Sequence, residues 1–374
     1  MSGNSKLGAA RKDPQDEFYT MYDDIQAEMN AYIDYNRNTF RDKVVFLPCD
    51  DPEKSNFTKF FAQNFERYGL RKLISTSYAT GVKSKKKWEV KIASSDEKED
   101  EEVPHGHIYI LERDVDGNGR IDFHDIESAE LDGDGDFRSE EIKRYRDEAD
   151  IIVTNPPFSL LQQFFIWLFE ANKQFIILGT PNAVTYKEVF PHIKDNTVWI
   201  GATAYNCGMY FYVPNDFKYK ETYKFEKVMN GRQVNRVSSV CWFTNIEHGN
   251  HHEPMPLLSM EDNLMYSSSD DLRGRKEYFR YANYDAIEVP IVEAIPSDYN
   301  GIMGVPKTFI GRYCPEQFEI IGIAEGDSGR ELGLEPVPKD LKKTYKELRD
   351  GQLYYFNDDG VPVKPYARIL IRRR

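Results

Sequence analysis

The chain has 374 residues, enough by the usual prior of about 150 residues per domain for two domains that each bury a core. Its composition is 40% hydrophobic and 30% charged, no stretch reaches the roughly 18 apolar residues of a membrane span, and residues 1–14 lack a signal-peptide core, so a cytoplasmic globular protein with no membrane partner is expected. A formal net charge of −13 argues against a nucleic-acid partner until its distribution is read: residues 94–150 hold 21 Asp or Glu against 7 Lys or Arg, and the remainder of the chain is close to neutral.

Residues 17–33 place Tyr22, Ile25, Met29 and Ile33 at helical spacing and predict an amphipathic helix. Residues 43–49 are a continuous apolar run of the kind buried on both faces of a parallel sheet. The turn Asp50, Asp51, Pro52 leads into a helix with Ser55 as its cap, Phe57, Phe60, Phe61, Phe65 and Tyr68 on one face, and a stop at Gly69. Residues 73–78 and 107–111 read as strands, 140–148 as a helix, 150–154 as an apolar strand, 160–171 as an apolar helix and 175–178 as a further strand. Strands alternating with helices imply a doubly wound parallel α/β sheet, whose ligands sit at the carboxyl ends of the strands. Residues 198–202, 209–213 and 237–243 are three strand candidates, read as the antiparallel end of the same sheet. Beyond about residue 253 the chain is rich in Pro, Tyr and short apolar runs, which suggests a second, less regular domain. Cys49, Cys207, Cys241 and Cys314 show no C-x-x-C pairing and read as reduced structural thiols.

Asn155, Pro156, Pro157 and Phe158 directly follow the predicted strand 150–154, at the edge where a ligand is expected. The bland reading is a double proline that ends a strand. The chemical reading explains all four residues. An exocyclic adenine amino nitrogen is a poor nucleophile because its lone pair is delocalised into the ring. The Asn side-chain oxygen and the carbonyl of the following Pro can accept both amino hydrogens, so the nitrogen becomes tetrahedral with its lone pair aimed at an electrophilic methyl group. The two prolines fix φ near −65° and preorganise those acceptors. Phe158 offers a face on which a base extruded from the duplex can stack. S-adenosylmethionine is the natural donor of such a methyl group, and its placement in line with the nitrogen does much of the catalysis.

At this point the sequence resembles the EcoRI-type adenine-specific DNA methyltransferases. The resemblance is carried by residues 16–20 (DEFYT), 43–46 (KVVF), 49–52 (CDDP), 55–57 (SNF), 133–141 (GDGDFRSEE), 150–159 (DIIVTNPPFS) and 241–245 (CWFTN). It implies a seven-stranded, doubly wound S-adenosylmethionine-dependent methyltransferase sheet (Rossmann-like) over residues 13–252 and a C-terminal target-recognition region over 253–374. It also implies roles for residues. Phe18, Tyr19 and Thr20 occupy the motif that closes over the methionine end of the cofactor; Cys49, Asp50 and Asp51 stand where the first strand meets it; Asp136 and Phe137 resemble the motif whose acid contacts its adenine. The usual Gly-rich F-x-G-x-G loop is absent, and no acid ends the second strand, where Thr76, Ser77 and Tyr78 stand, so the group that binds the ribose hydroxyls is unassigned. The implied partner is double-stranded DNA, with or without a cognate restriction endonuclease. A cytosine-C5 mechanism needs a nucleophilic Cys, and Cys49 sits at the wrong strand for it.

Within the acidic insert, residues 94–141, Asp114, Asp116, Asn118, Gly119, Ile121 and Asp125 match the spacing of a calcium loop, and Asp132, Asp134, Gly135, Phe137 and Glu141 repeat it more weakly. A structural calcium tethering the insert is one expectation and a solvated acidic loop the other. After residue 253, Arg273, Arg275, Lys276, Arg280 and Arg312 alternate with Tyr278, Phe279, Tyr281 and Tyr313, the mixture expected at a DNA surface, although the aromatic residues serve equally well as core. The rival readings are a methyltransferase acting on RNA or on protein glutamine, and a noncatalytic calcium-binding module.

Overall fold

The computed structural model describes residues 18–79 and 105–374. Residues 83–87, which hold Lys83, Lys85, Lys86 and Lys87 and read from sequence as a solvated basic run, lie outside the described residues, as do residues 94–104 of the acidic insert and residues 13–17. The chain divides into two compact units, Met1–Pro181 with Gly201–Glu247, and Asn182–Ile200 with His248–Arg374.

The first unit contains β1 (Tyr19–Thr20), α1 (Tyr22–Tyr35), β2 (Val44–Leu47), α2 (Phe57–Gln63), α3 (Phe65–Tyr68), β3 (Lys72–Ser77), β4 (His107–Leu111), β5 (Glu127–Glu130), α4 (Glu140–Glu148), β6 (Ile151–Thr154), α5 (Leu161–Glu170), β7 (Gln174–Gly179), β8 (Trp199–Tyr212), β9 (Val228–Met229) and β10 (Arg232–Thr244). The strands make one ten-stranded sheet in the order β1-β8-β10-β7-β6-β2-β3-β4-β5, with β9 pairing to β10. Its centre, β7-β6-β2-β3, is parallel. Every residue of β2 and β6 is buried, as their uninterrupted apolar sequences require.

The sheet is mixed: the antiparallel end expected of the later strands is present, while a second antiparallel edge at β4 and β5, and ten strands in place of seven, correct the expectation. β4 runs antiparallel to β3, and β5 antiparallel to β4. β4 and β5 are joined by the acidic loop, with no crossover α-helix between them, and so direct a return makes neighbours antiparallel. On the other side β10 is antiparallel to β7. The two strand candidates at 198–202 and 209–213 are one strand, β8, because the polar residues between them stay in the ladder.

The predicted phenylalanine helix is two helices. It breaks at Asn64, whose Nδ2 donates to the Phe60 carbonyl at 2.9 Å, and ends at Gly69 in the left-handed conformation. Asn56, one residue beyond the expected cap, precedes its first turn. Phe57, Phe60, Phe61, Phe65 and Tyr68 enter one core with Tyr32, Phe40, Leu47, Leu73 and Trp242. Truncating Phe60 or Phe61, both fully buried, costs about 3–5 kcal/mol. That core backs the carboxyl edge of β2 and β3 and fixes where their loops emerge.

The second unit contains α6 (Phe190–Lys194), α7 (Met260–Tyr266), β11 (Ala286–Glu288), β12 (Ile302–Pro306), β13 (Phe318–Ala324), α8 (Gly326–Glu331), α9 (Lys339–Thr344), β14 (Tyr355–Phe356), β15 (Pro362–Val363) and β16 (Arg368–Arg373). It is more regular than expected, with a four-stranded sheet ordered β11-β12-β16-β13. β16 pairs antiparallel to both β12 and β13 and buries Ile369, Leu370 and Ile371. Arg368 and Glu288 form a buried ion pair, closed by the Tyr281 hydroxyl donating to Glu288. Among the described residues no helix is long and apolar enough to cross a membrane.

Candidate functional site

Asn155 lies where the parallel strand β6 ends, and its loop is tied to neighbouring strands. The Thr154 hydroxyl donates to the Pro48 carbonyl, joining the ends of β6 and β2. Leu160 N donates to the Pro157 carbonyl at 2.9 Å, so the backbone turns into α5 directly after the double proline. Pro156 is buried, and Asn155, Pro157 and Phe158 are half-buried. Phe158 packs against the core cluster of the unit.

The Asn155 amide is held at one end. Its Nδ2 donates to the Phe18 carbonyl at 2.9 Å, while its Oδ1 is buried and has no hydrogen-bond partner among the described residues. An amide can be turned either way. A carbonyl acceptor on one side fixes the nitrogen there and leaves the oxygen facing the other. An unpaired buried acceptor costs about 1–3 kcal/mol, so this arrangement favours any ligand that brings a donor.

Phe18, Tyr19 and Thr20 form the edge next to this loop. β1 pairs antiparallel to β8, with Tyr19 opposite Tyr212 and Thr20 opposite Phe211. The Phe18 ring is buried against Phe211 and Phe217, with ring centroids 6.1 and 5.5 Å away. Phe18 therefore meets Asn155 through its backbone and the core through its ring. The Thr20 carbonyl accepts from Asn56 Nδ2 at 2.7 Å, and Thr20 Oγ1 is buried without a partner among the described residues. Sequence reasoning quoted Asn56 inside a motif without giving it this work.

At the end of β2 the polar side chains are engaged internally. Asp50 is buried. Its Oδ1 accepts from the Ser55 hydroxyl, and its Oδ2 from the Thr58 backbone N–H at 3.0 Å and the Thr58 hydroxyl. Burial pushes its carboxyl up to about 6 despite those donors. Asp51 accepts from Glu53 N at 3.0 Å and pairs with Lys54 at 3.2 Å, which closes the turn. Cys49 adopts a left-handed backbone with φ 64°, and burial, together with the nearby Asp136 and Asp50, pushes its thiol up to about 12. A thiol held neutral in this way is a poor nucleophile. All four cysteines are free.

The GDGDFRSEE stretch packs against the end of β3. Ala79 N donates to the Asp134 carbonyl at 2.8 Å, and a Cβ on Gly135, whose φ is 81°, would stand 2.4 Å from the Ser77 carbonyl, so only glycine fits. This approach carries Asp136 to Cys49. Burial raises the Asp136 carboxyl, but the Arg138 guanidinium and N–H outweigh it and hold the group below the usual range. Phe137 is buried between Phe164 and Trp167, with centroids 5.0 and 5.7 Å away, and its ring packs beneath α5. Thr76, at the end of β3 where an acid was missing, keeps a buried Oγ1 without a partner among the described residues. A polar residue ending a strand of the parallel set was the signal for it.

In the acidic loop the carboxylates of Asp114, Asp116 and Asp125 come together, with one ligand atom of each within 4.8 Å of the others. The same carboxylates receive backbone donors. Asp114 accepts from Gly117 N at 2.7 Å and Gly119 N at 2.8 Å, and Asp125 accepts from Val115 N at 2.8 Å and Asp122 N at 2.9 Å. Asn118 Oδ1 accepts from Arg120 N at 2.9 Å. In the weaker repeat Glu141 accepts from Asp132 N and Gly133 N at 2.8 and 3.0 Å, and Asp136 already holds a cation in Arg138. Both loops are closed by their own hydrogen bonds.

In the second unit four of the five basic residues singled out from sequence are held in ion pairs. Arg273 pairs with Asp270, Arg275 with Asp358, Arg280 with Asp285 and Arg312 with Glu293; Lys276 is exposed. Tyr278, Tyr281 and Tyr313 are core, and Phe279 stacks on Tyr355. A cleft of about 730 Å³ in this unit is lined by Lys307, Lys364, Tyr366, Phe279 and the Glu288 and Arg368 pair, among others.

The chain matches the family described as adenine-specific methyltransferase EcoRI over residues 6–374. It is 37% identical over 334 residues to the type II methyltransferase M.EcoRI of Escherichia coli, an alignment covering 88% of this chain and 93% of that protein. It is 34% identical to the type II methyltransferases M.MgeORF184P of Mycoplasma genitalium, covering 83% and 84% of the two chains, and M.MpnI of Mycoplasma pneumoniae, covering 83% of each. No solved structure matches the chain.

Proposed function

We propose that this chain, which belongs to the EcoRI family of adenine-specific, S-adenosylmethionine-dependent DNA methyltransferases, methylates the N6 of adenine at a specific site in double-stranded DNA. The observation that carries this reading is the half-satisfied Asn155: nitrogen held by Phe18, oxygen buried and open. An adenine amino group supplies the missing donor. Its second hydrogen goes to the Pro156 carbonyl, and the nitrogen lone pair then points out of the ring plane.

The target atom is unreachable inside a duplex, so the base is extruded, and Phe158 at the loop exit provides the face on which it stacks. When bound, S-adenosylmethionine supplies a methyl group on a sulfonium centre. Two buried hydroxyls without partners, Thr20 Oγ1 and Thr76 Oγ1, suit a ligand rich in polar groups. Thr20, Tyr19, Cys49 and Asp136 are the residues we assign to holding it, with Thr76 filling the place where a ribose-binding acid was missing. Asp50, Asp51 and Phe137 support this edge from behind, through the Ser55 and Thr58 bonds, the closed turn and the aromatic packing under α5.

The central strands β3, β2, β6 and β7, with the reactive loop after β6, fit the doubly wound methyltransferase sheet. We assign residues 13–252 to catalysis and 253–374 to target recognition, in a cytoplasmic modification enzyme with or without a partner endonuclease. A competition assay tests the substrate class: labelled S-adenosylmethionine is offered with unmethylated duplex DNA, RNA and protein. Label in DNA alone is expected. Label in RNA or protein, with none in DNA, would overturn the reading.

A further inference from the structure

The hairpin that follows β8 carries a surface the sequence motifs did not mark. Between Pro214 and Arg236 stand six basic residues, Lys218, Lys220, Lys224, Lys227, Arg232 and Arg236, against three acids, Asp216, Glu221 and Glu226. In a chain of net charge −13 this segment is +3. Its turn, Asn230 and Gly231, has both residues at positive φ, 50° and 74°, and closes β9 onto β10.

Its rigidity comes from an aromatic spine. Phe217, Tyr219, Tyr223 and Phe225 follow one another at centroid distances of 5.2, 5.0 and 5.7 Å. The Tyr219 hydroxyl donates to the Val234 carbonyl at 2.8 Å, and the Tyr223 hydroxyl accepts from Arg236 N at 2.8 Å, so the excursion is pinned to the hairpin. Phe217, Tyr219 and Tyr223 are half-buried, Phe225 at the far end of the spine is exposed, and Lys218, Lys220 and Lys224 alternate with these rings in sequence. All three are exposed, and among the described residues none has a carboxylate within ion-pair distance. The contrast with Arg273, Arg275, Arg280 and Arg312, each held by an acid, is direct.

The spine begins at the reactive loop: the Phe217 ring is 5.5 Å from that of Phe18, whose carbonyl holds Asn155. A base extruded to Asn155 brings its flanking phosphates to this neighbourhood. We propose that residues 214–236 form a phosphate-binding arm of the catalytic unit, in which Lys218, Lys220 and Lys224 neutralise the duplex backbone beside the extruded nucleotide. This rests on the DNA reading above only for the identity of the polyanion. The arm positions the duplex and carries no base readout, since phosphate contacts are blind to sequence.

The test is fluorescence anisotropy of a labelled duplex of random sequence, titrated with the whole protein across a salt series. Each lysine that replaces a condensed counterion contributes about 0.9 to the slope of log K against log salt. The triple variant Lys218→Gln, Lys220→Gln, Lys224→Gln is expected to lower that slope by about 2 to 3. The three Lys→Arg changes together are expected to restore it, and S-adenosylmethionine binding by calorimetry stays unchanged. Should the triple variant fail to fold, the single Gln variants, each lowering the slope by about 0.9, give the same reading. A slope equal to wild type in folded variants overturns the arm, even where adenine is methylated. A lowered slope in a protein that leaves adenine unmodified keeps the arm and removes the enzymatic reading. Absence of any duplex binding by the wild type overturns both.

Discussion

The loops after β2 and β6 leave neighbouring parallel strands at one edge of the sheet and treat their polar side chains in opposite ways. Asp50 has a donor on each carboxylate oxygen from within its own loop and helix. Asn155 has a partner for its nitrogen and none for its buried oxygen. A group whose bonds are complete in the free protein holds shape. A buried acceptor left open costs stability, and such a cost persists where a ligand completes the bond. The difference separates two residues that motif reasoning places side by side.

The largest effect is expected at Asn155. Asn155→Ala is expected to lower single-turnover methyl transfer by about 100- to 1000-fold while leaving the melting temperature within a few degrees of wild type, since it removes one preorganised acceptor. Asn155→Asp is sharper. Its carboxylate would face the Phe18 carbonyl, so the neutral form, which can donate to it, is the competent one. Transfer by this variant is expected to be poor at pH 8 and to recover as pH falls toward 6, read from a pH–rate profile normalised to wild type. Phe158→Ala removes the stacking face and is expected to cost about 1–3 kcal/mol, seen as weaker transfer and as less fluorescence change from a 2-aminopurine at the target position.

Asp50 is expected to behave as a structural group. Its carboxyl in the folded state is raised to about 6 from an ordinary 3.8. Between those values the folded form binds the extra proton, so stability falls as pH rises through the window, by about 3 kcal/mol at most. Asp50→Asn removes this dependence. The difference between variant and wild-type melting temperatures should therefore slope between pH 4 and 6 and be flat above. The smallest effect belongs to the acidic loop. Asp116→Ala, on an exposed and self-closed turn, is expected to change stability by no more than about 0.5 kcal/mol and to leave transfer unchanged, with or without added calcium. A calcium-dependent shift in melting temperature that the variant loses would contradict this.

Much of the first unit was legible in sequence because its central strands are uninterrupted apolar runs. β4 and α4 fall where periodicity put them, and the Asn155 tetrapeptide stands at a strand end as read. Direction was legible at one end only, where β10 runs antiparallel to β7 as read. β4 turns antiparallel because of its pairing with β3 across a long intervening segment, and no local signal encodes that. The second sheet was missed for a related reason, since β12 finds its partner β16 some sixty residues later. Within the site, motif position says where a residue lies and nothing of where its side chain turns, which is why Phe137 is core and Phe18 works through its carbonyl. The basic arm escaped because its lysines are interleaved with aromatic residues and acids, although the Asn230 and Gly231 pair was a readable hairpin signal.

The central claim is that Asn155 accepts from the amino group of an extruded adenine. Nucleoside mass spectrometry of unmethylated genomic duplex, after incubation with purified protein and saturating S-adenosylmethionine, tests it in one step. The account predicts N6-methyladenine from the wild type and essentially none from Asn155→Ala of equal stability. Unmodified adenine from the wild type, or an undiminished yield from the variant, would contradict it.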